Sequence, residues 1–257
     1  MSHSLEGKVV WITGGGTGIG RAAAKVLSRI GARVALSGRR KSALDDTLKE
    51  LTGGPGAGLA LPLDVADTAS VEAAAKEIQA SLGEVDILVN SAGLNLAKRR
   101  YHEMSVEDWQ QVIAANLNGA FHCIHAVLPA MRARRDGLII NISSWAGRYD
   151  SYIAGPAYGA SKHGLSSMSA TLNLEEGRYG VRSCCIEPAE VATEILDRRP
   201  VPVPESERQK MLQAEDLAET VRFVVEMPAH VCLNEIVISP TGNRAHMGDK
   251  DQYPGPP

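Results

Sequence analysis

Apolar residues fall along this chain in two rhythms. Short unbroken runs, such as Val9-Val10-Trp11-Ile12, read as strands buried on both faces. Between them, apolar residues recur every three or four positions, the period of a helix packed on one side. The pattern predicts strands over 8–13, 33–37, 59–63, 85–90, 138–143, 181–186 and 235–239. It predicts helices over 21–30, 42–51, 70–82, 105–134, 158–177 and 215–226, with Gly53-Gly54-Pro55-Gly56 as a turn. Strands separated by single helices imply parallel pairing and right-handed crossovers. The expected architecture is α/β: a doubly wound parallel sheet of about seven strands, with helices on both faces.

Composition narrows this picture. A chain of 257 residues fits one large domain, taken here as 1–248, followed by a polar, proline-rich tail over 249–257 that reads as loose. The net charge of −3, with 22% charged residues, points to neither nucleic acid nor a membrane surface. The amino terminus lacks an apolar signal core, and no run approaches the roughly 18 apolar residues of a membrane span. Cys123, Cys184, Cys185 and Cys232 have no metal-ligand spacing, so no metal is expected. They read as reduced cysteines of a cytoplasmic protein. Cys184 and Cys185 should point to opposite faces of one strand.

The chemistry clusters where such sheets bind ligands, beyond the carboxyl ends of the strands. There lie 13–20, 37–40, 63–65, 90–100, 143–158 and 187–205. The first strand runs into Thr13-Gly14-Gly15-Gly16-Thr17-Gly18-Ile19-Gly20 and then a helix, which is how a dinucleotide-binding unit begins. Glycines let the backbone approach a pyrophosphate, and the helix offers free N–H groups to it. Tyr158 and Lys162 stand at i and i+4 on one helix face. A tyrosine titrates near ~10, and a nearby ammonium favours the phenolate, so the pair can serve as a general acid and base. A surface tyrosine beside a solvated lysine gives the same spacing. Two features favour chemistry: the small residues Gly159, Ala160 and Ser161 between them, and a start just past a strand end. Ser143-Ser144 closes the fifth strand and can offer a hydroxyl to a substrate oxygen.

Together these residues resemble the short-chain dehydrogenase/reductase family, in its branch of about 250 residues, over roughly residues 5 to 242. Thr13-Gly14-x-x-x-Gly18-x-Gly20 is similar to the family's cofactor turn, and Asn90-Ser91-Ala92-Gly93 to its element after the fourth strand. Asn116 stands where the family carries a catalytic asparagine. Ser144 is the second of the paired serines, and Tyr158-x-x-x-Lys162 completes the tetrad. The resemblance implies a Rossmann fold and an NAD(P)-dependent oxidoreductase that moves a hydride between nicotinamide and a small alcohol or carbonyl. In that scheme Tyr158 exchanges the proton and Ser144 polarises the substrate oxygen. Lys162 lowers the tyrosine pKa and holds the nicotinamide ribose, and Asn116 keeps a water that links Lys162 to solvent. One departure stands out: Pro188-Ala189 replaces the usual Pro-Gly. Val191 and Thr193 still match the positions expected at the nicotinamide carboxamide. Glu190 is either a loop carboxylate facing water or part of the substrate entrance.

The choice of coenzyme turns on residues 38–40. An NAD site places an acid about 20 residues after the glycine turn; here Gly38 takes that place, followed by Arg39 and Arg40, which suit a 2′-phosphate. NADP is favoured over NAD. Asp64-Val65 resembles the family's adenine contact, although Asp64 could instead cap the next helix. With Gly16, Thr17 and Ile19, this completes the cofactor set. Segments 94–101, 145–156 and 189–205 should wall the substrate, the last as a lid stiffened by Pro200, Pro202 and Pro204. The arginines of these segments could bind an anion, though loop arginines are commonly solvated. The carboxyl-terminal stretch is similar to relatives acting on small hydroxy acids and related alcohols. The resemblance implies a homo-oligomer, tetramer or dimer, sharing helices 105–134 and 158–177. An apolar stripe of Leu165, Met168 and Leu172 marks either that interface or internal core. The alternative function is a non-catalytic dinucleotide sensor on the same fold, against which the intact tetrad speaks. A member of the family's longer branch needs a further domain that 257 residues do not accommodate.

Overall fold

The apolar runs become seven parallel strands because both of their faces are covered. In the computed structural model, which describes residues 5–52 and 58–243, every residue of β1 (Val9–Thr13) is buried. The others are β2 (Arg33–Gly38), β3 (Gly58–Pro62), β4 (Ile87–Asn90), β5 (Gly137–Ile142), β6 (Val181–Pro188) and β7 (Glu235–Ile238). The sheet order is β3-β2-β1-β4-β5-β6-β7, all neighbours parallel. The order reverses between β1 and β4, which opens a crevice at their carboxyl ends. The period of two along β1 divides its side chains. Val10 and Ile12 enter one core with Leu27, Leu217 and Val221. Val9 and Trp11 enter the other with Ile78, Met131 and Leu172.

Helices α1 (Gly18–Arg29), α2 (Lys41–Lys49) and α8 (Ala214–Val225) contribute to the first core; α3 (Thr68–Ser81), α5 (Gly119–Arg134) and α6 (Pro156–Glu176) contribute to the second. The helical run expected over 105–134 is present but not uniform. It comprises α4 (Val106–Ile113), a π-turn over Ala114–Asn118, and α5. It starts as its sequence dictates: Ser105 accepts from the Asp108 N–H and Asp108 answers the Ser105 N–H, a capping box. This run is long and apolar enough to span a membrane, yet Cys123, Ile124, Val127 and Met131 pack it into the core beside the sheet. A short α7 (Glu205–Arg208) and a 3₁₀ turn over Glu194–Arg198, neither visible in the periodicity, shape the 189–205 segment.

Three expectations are settled by burial. Leu165 and Leu172 are buried and Met168 packs against the second core, so the α6 stripe is packed as core within the chain. Cys184 joins the first core, while Cys185 contacts Ser166 of α6 across the sheet, so the two do point to opposite faces. All four cysteines are free. The 53–56 turn and the 249–257 tail lie outside the described residues.

Candidate active site

The crevice at the β1/β4 reversal deepens into a cavity of about 340 Å³. Its floor at one end is the glycine turn, from which Gly14, Thr17, Gly18 and Ile19 line it. Gly14 holds φ of +68°, and a Cβ there would lie 2.9 Å from the Ser91 carbonyl oxygen, so only glycine fits comfortably. Thr13 locks this turn to β4 by accepting from the N–H groups of Ser91 and Ala92 at 3.2 and 3.1 Å. Thr17 caps α1 without a side-chain bond, and the first turn carries no acid. The N–H groups and dipole of α1 therefore face the cavity, beside the Glu194 carboxylate that approaches Gly18, and suit a pyrophosphate. Ala92 and Gly93 line the next part of the wall, and Pro188, Val191 and Thr193 the opposite lip. These residues fit a dinucleotide.

Other residues of the expected cofactor set act from behind or outside. Gly16 packs under Ala43 of α2, and Gly20 against the Gly14 backbone. Arg40 lines the cavity and Arg39 is exposed next to it. Asp64 is exposed and accepts from the Ala66 N–H at 3.0 Å; Asp67, not Asp64, caps α3. Val65 is buried beside Gly119, and its carbonyl bonds His122 at 2.9 Å. Asn90 donates to Asn141 Oδ1 at 2.9 Å within the sheet, and its own Oδ1 is buried without a partner.

At the far end of the cavity stand Ser144, Tyr158 and Lys162. Ser144 begins the turn after β5, accepts from the Ala146 N–H at 3.1 Å, and lies close enough to the Tyr158 side chain to hold down its pKa. Its neighbour Ser143 is buried against the Lys162 carbonyl and Ser166, which separates the roles of the paired serines. Lys162 is 4% exposed; its Nζ donates to the Ile142 carbonyl at 2.7 Å and lies 5.7 Å from the Tyr158 ring centre. Burial depresses the ammonium from 10.5 to about 8. Burial also raises the Tyr158 phenol, and the forces opposing that rise come from Ser144, then Arg99 and Arg199. Asn116 sits in the π-turn, fully buried. It accepts from the Leu94 N–H at 2.8 Å and donates to the Leu94 carbonyl and Ser161 Oγ at 2.9 and 3.1 Å. Asn116 thus pins the loop that runs between it and Lys162.

The match of the ordered motifs is decided by comparison. Residues 8–201 fit the model of the short chain dehydrogenase family. The chain belongs to that family. It is 32% identical over 236 residues to an uncharacterized oxidoreductase of Staphylococcus aureus, covering 92% of this chain and 98% of that one. An alcohol dehydrogenase from the archaeon Thermococcus sibiricus, complexed with 5-hydroxy-NADP, is similar at a TM-score of 0.81 and 30% identity, over 91% and 97% of the two chains. The closed form of a serine dehydrogenase complexed with NADP+ is similar at 0.82 and 33%, over 91% and 95%.

Within this short-chain dehydrogenase the family's Pro-Gly departure is harmless. Among the described non-glycine residues only Arg135 has a positive φ, so Ala189 is unstrained, and its N–H reaches the Ile238 carbonyl at 2.8 Å. Glu190 does not face water: it lines the cavity and pairs with Arg199 at 2.8 Å, each side chain about one-sixth exposed. Arg99 is 3% exposed, against the expectation of solvated loop arginines. Asn95, which the sequence did not single out, is buried in the cavity wall and donates to the Ala154 carbonyl at 2.9 Å. Nothing in the periodicity marks these three, because they lie in segments without regular spacing.

Proposed function

We propose that this oxidoreductase interconverts a small alcohol and its carbonyl compound, prefers NADP, and uses Tyr158 as general acid and base. The observation that carries the reading is one cavity with two ends. The glycine turn and the α1 amino terminus lie at one end, and Ser144, Tyr158 and Lys162 line the other. A bound nicotinamide coenzyme supplies or accepts the hydride. Tyr158 gives its phenolic proton to the substrate oxygen in reduction, or takes the hydroxyl proton in oxidation. Ser144 donates to the same oxygen and fixes its position. Lys162, held by the Ile142 carbonyl, keeps a positive end beside the phenol. Asn116 holds the 93–95 loop that borders both.

Arg39 and Arg40 would take the 2′-phosphate, with Gly38 leaving room where an acid would repel it. The NADP carried by two similar structures supports this. The partner substrate is a small molecule, and the protein works as a homo-oligomer through the exposed apolar side chains Val106, Trp109 and Phe121 of α4 and α5. The test is a scan of carbonyls and alcohols with NADPH and NADH, followed by absorbance of the reduced nicotinamide, in wild type and Tyr158→Phe. The variant should bind coenzyme like wild type and lose about 10²–10⁴-fold in kcat. If it retains more than half its turnover, Tyr158 is not the acid and base.

A further inference from the structure

Lys98-Arg99-Arg100 is a run of three cations, yet the chain buries only the middle one. The Arg99 guanidinium reaches one carbonyl in each of the three segments around the substrate end of the cavity. Nε donates to Leu96 at 2.7 Å, Nη1 to Ile153 at 3.3 Å and Nη2 to Arg198 at 2.7 Å. An arginine has five N–H donors, so two remain. Among the described residues no carboxylate pairs with it. The acid of its own loop, Glu103, instead accepts from the backbone N–H groups of Arg99 and Arg100 at 2.8 and 3.0 Å. The charges acting most strongly on Arg99 are of like sign, Arg199 and Arg100, with Tyr158 and Glu103 opposing them more weakly. Burial and those neighbours lower it only to about 10, so it is a cation at neutral pH. A buried cation without an anion is costly, and three carbonyl dipoles offset only part of that cost.

The side of Arg99 that remains is the cavity it lines together with Ser144 and Tyr158. We infer that Arg99 is the receptor for a carboxylate on the substrate, so that the enzyme acts on hydroxy acids or oxo acids. This rests on the reading of the site as a carbonyl–alcohol oxidoreductase. Two free donors on one planar fork match one carboxylate. A phosphate dianion would call for a second buried cation free to meet it, whereas the adjacent Arg199 is ion-paired with Glu190 and Arg198, which also lines the cavity, is exposed.

The experiment offers wild type and NADP 2-, 3- and 4-hydroxypentanoate, each against the neutral amide of the same chain. In the series with the right spacing, the acid should exceed its amide in kcat/KM by about 10- to 150-fold, the span of a charge-assisted hydrogen bond. That acid-to-amide ratio should collapse toward one in Arg99→Gln, whatever the absolute rates, and return in part in Arg99→Lys. Calorimetric titration of pentanoate and pentanamide into wild type reads the same preference without turnover. Equal rates and equal binding of acid and amide overturn the carboxylate site while leaving the oxidoreductase intact. A ratio that survives Arg99→Gln also overturns it. Preferred binding of pentanoate with no turnover of any alcohol keeps the anion site and refutes the proposed reaction.

Discussion

Removing the Asn116 amide tests whether this residue is part of the scaffold before it is part of the chemistry. Asn116→Ala deletes three hydrogen bonds at a fully buried position. Two of them satisfy both backbone groups of Leu94, itself buried. A buried polar group left unpaired costs about 1–3 kcal/mol, so the two Leu94 groups together forfeit about 2–6 kcal/mol. A water entering the space left by the amide would recover some of this. Set against a typical total of about 5–15 kcal/mol, the loss is large. The assay is urea unfolding of wild type, Asn116→Ala and Asn116→Asp, with midpoint and slope read separately. The alanine variant should unfold at clearly lower urea with an unchanged slope. Its coenzyme affinity, measured at low temperature on folded protein, should also fall, because loop 93–95 is no longer pinned. A destabilisation below about 1 kcal/mol would refute the reasoning that Asn116 holds this part of the scaffold.

Gly38→Asp should weaken NADPH binding at least about tenfold and spare NADH. A Cβ there meets only Leu44 at 3.6 Å, so the variant should fold, and equal losses for both coenzymes would show that residue 38 does not read the 2′-phosphate. Lys162 gives a pH signature. Unfolded lysine holds its proton to about 10.5 while the folded group releases it near 8, so in that window the unfolded chain binds more protons and wild-type stability rises with pH. Relative to Lys162→Met, wild type should gain up to about 3 kcal/mol between pH 7 and 10.5, at ~1.4 kcal/mol per tenfold change in proton affinity. A difference that stays constant with pH refutes the buried charge. Light scattering at micromolar concentration should give a mass above the 27.4 kDa of one chain, and a monomer would remove the oligomer from the account.

The parts of this protein legible in sequence are those whose physics is local. β1 and its glycine turn are readable because a buried parallel strand must be continuously apolar and a turn with φ of +68° must be glycine. Tyr158 and Lys162 are readable because helix spacing fixes their relative position. What stayed hidden depends on tertiary context. The π-turn at Ala114–Asn118 leaves the apolar rhythm of its helix intact, so periodicity passes over it. The stripe of Leu165, Met168 and Leu172 looks the same whether it faces the sheet or another subunit, and only packing distinguishes them. Asp64 reads as a cap for the next helix only until α3 is seen to begin at Thr68, which makes Asp67 the cap. The departure at Ala189 loses its force once its φ is known to be negative, since alanine then carries no penalty there.

Arg99 shows why the substrate end is the least readable part of the site. Composition says that a loop arginine between two other cations belongs in water. The fold brings carbonyls from three distant segments, at Leu96, Ile153 and Arg198, onto one guanidinium. That convergence follows from where β4, β5 and β6 all end, which no local window contains. Burial also acts on both members of the Tyr158–Lys162 pair, raising the phenol and lowering the ammonium, so each is driven toward its neutral form. A lysine weakened in this way is a poor sole source of the field that steadies a phenolate. The guanidinium groups of Arg99 and Arg199 supply part of that field, and they do so from loops that line the same cavity. In the proposed reaction, proton transfer at Tyr158 and recognition of the substrate would therefore be coupled through the same two side chains. A carboxylate arriving at Arg99 would compensate the cation that helps hold the phenol pKa down, leaving Tyr158 a weaker acid and a stronger base.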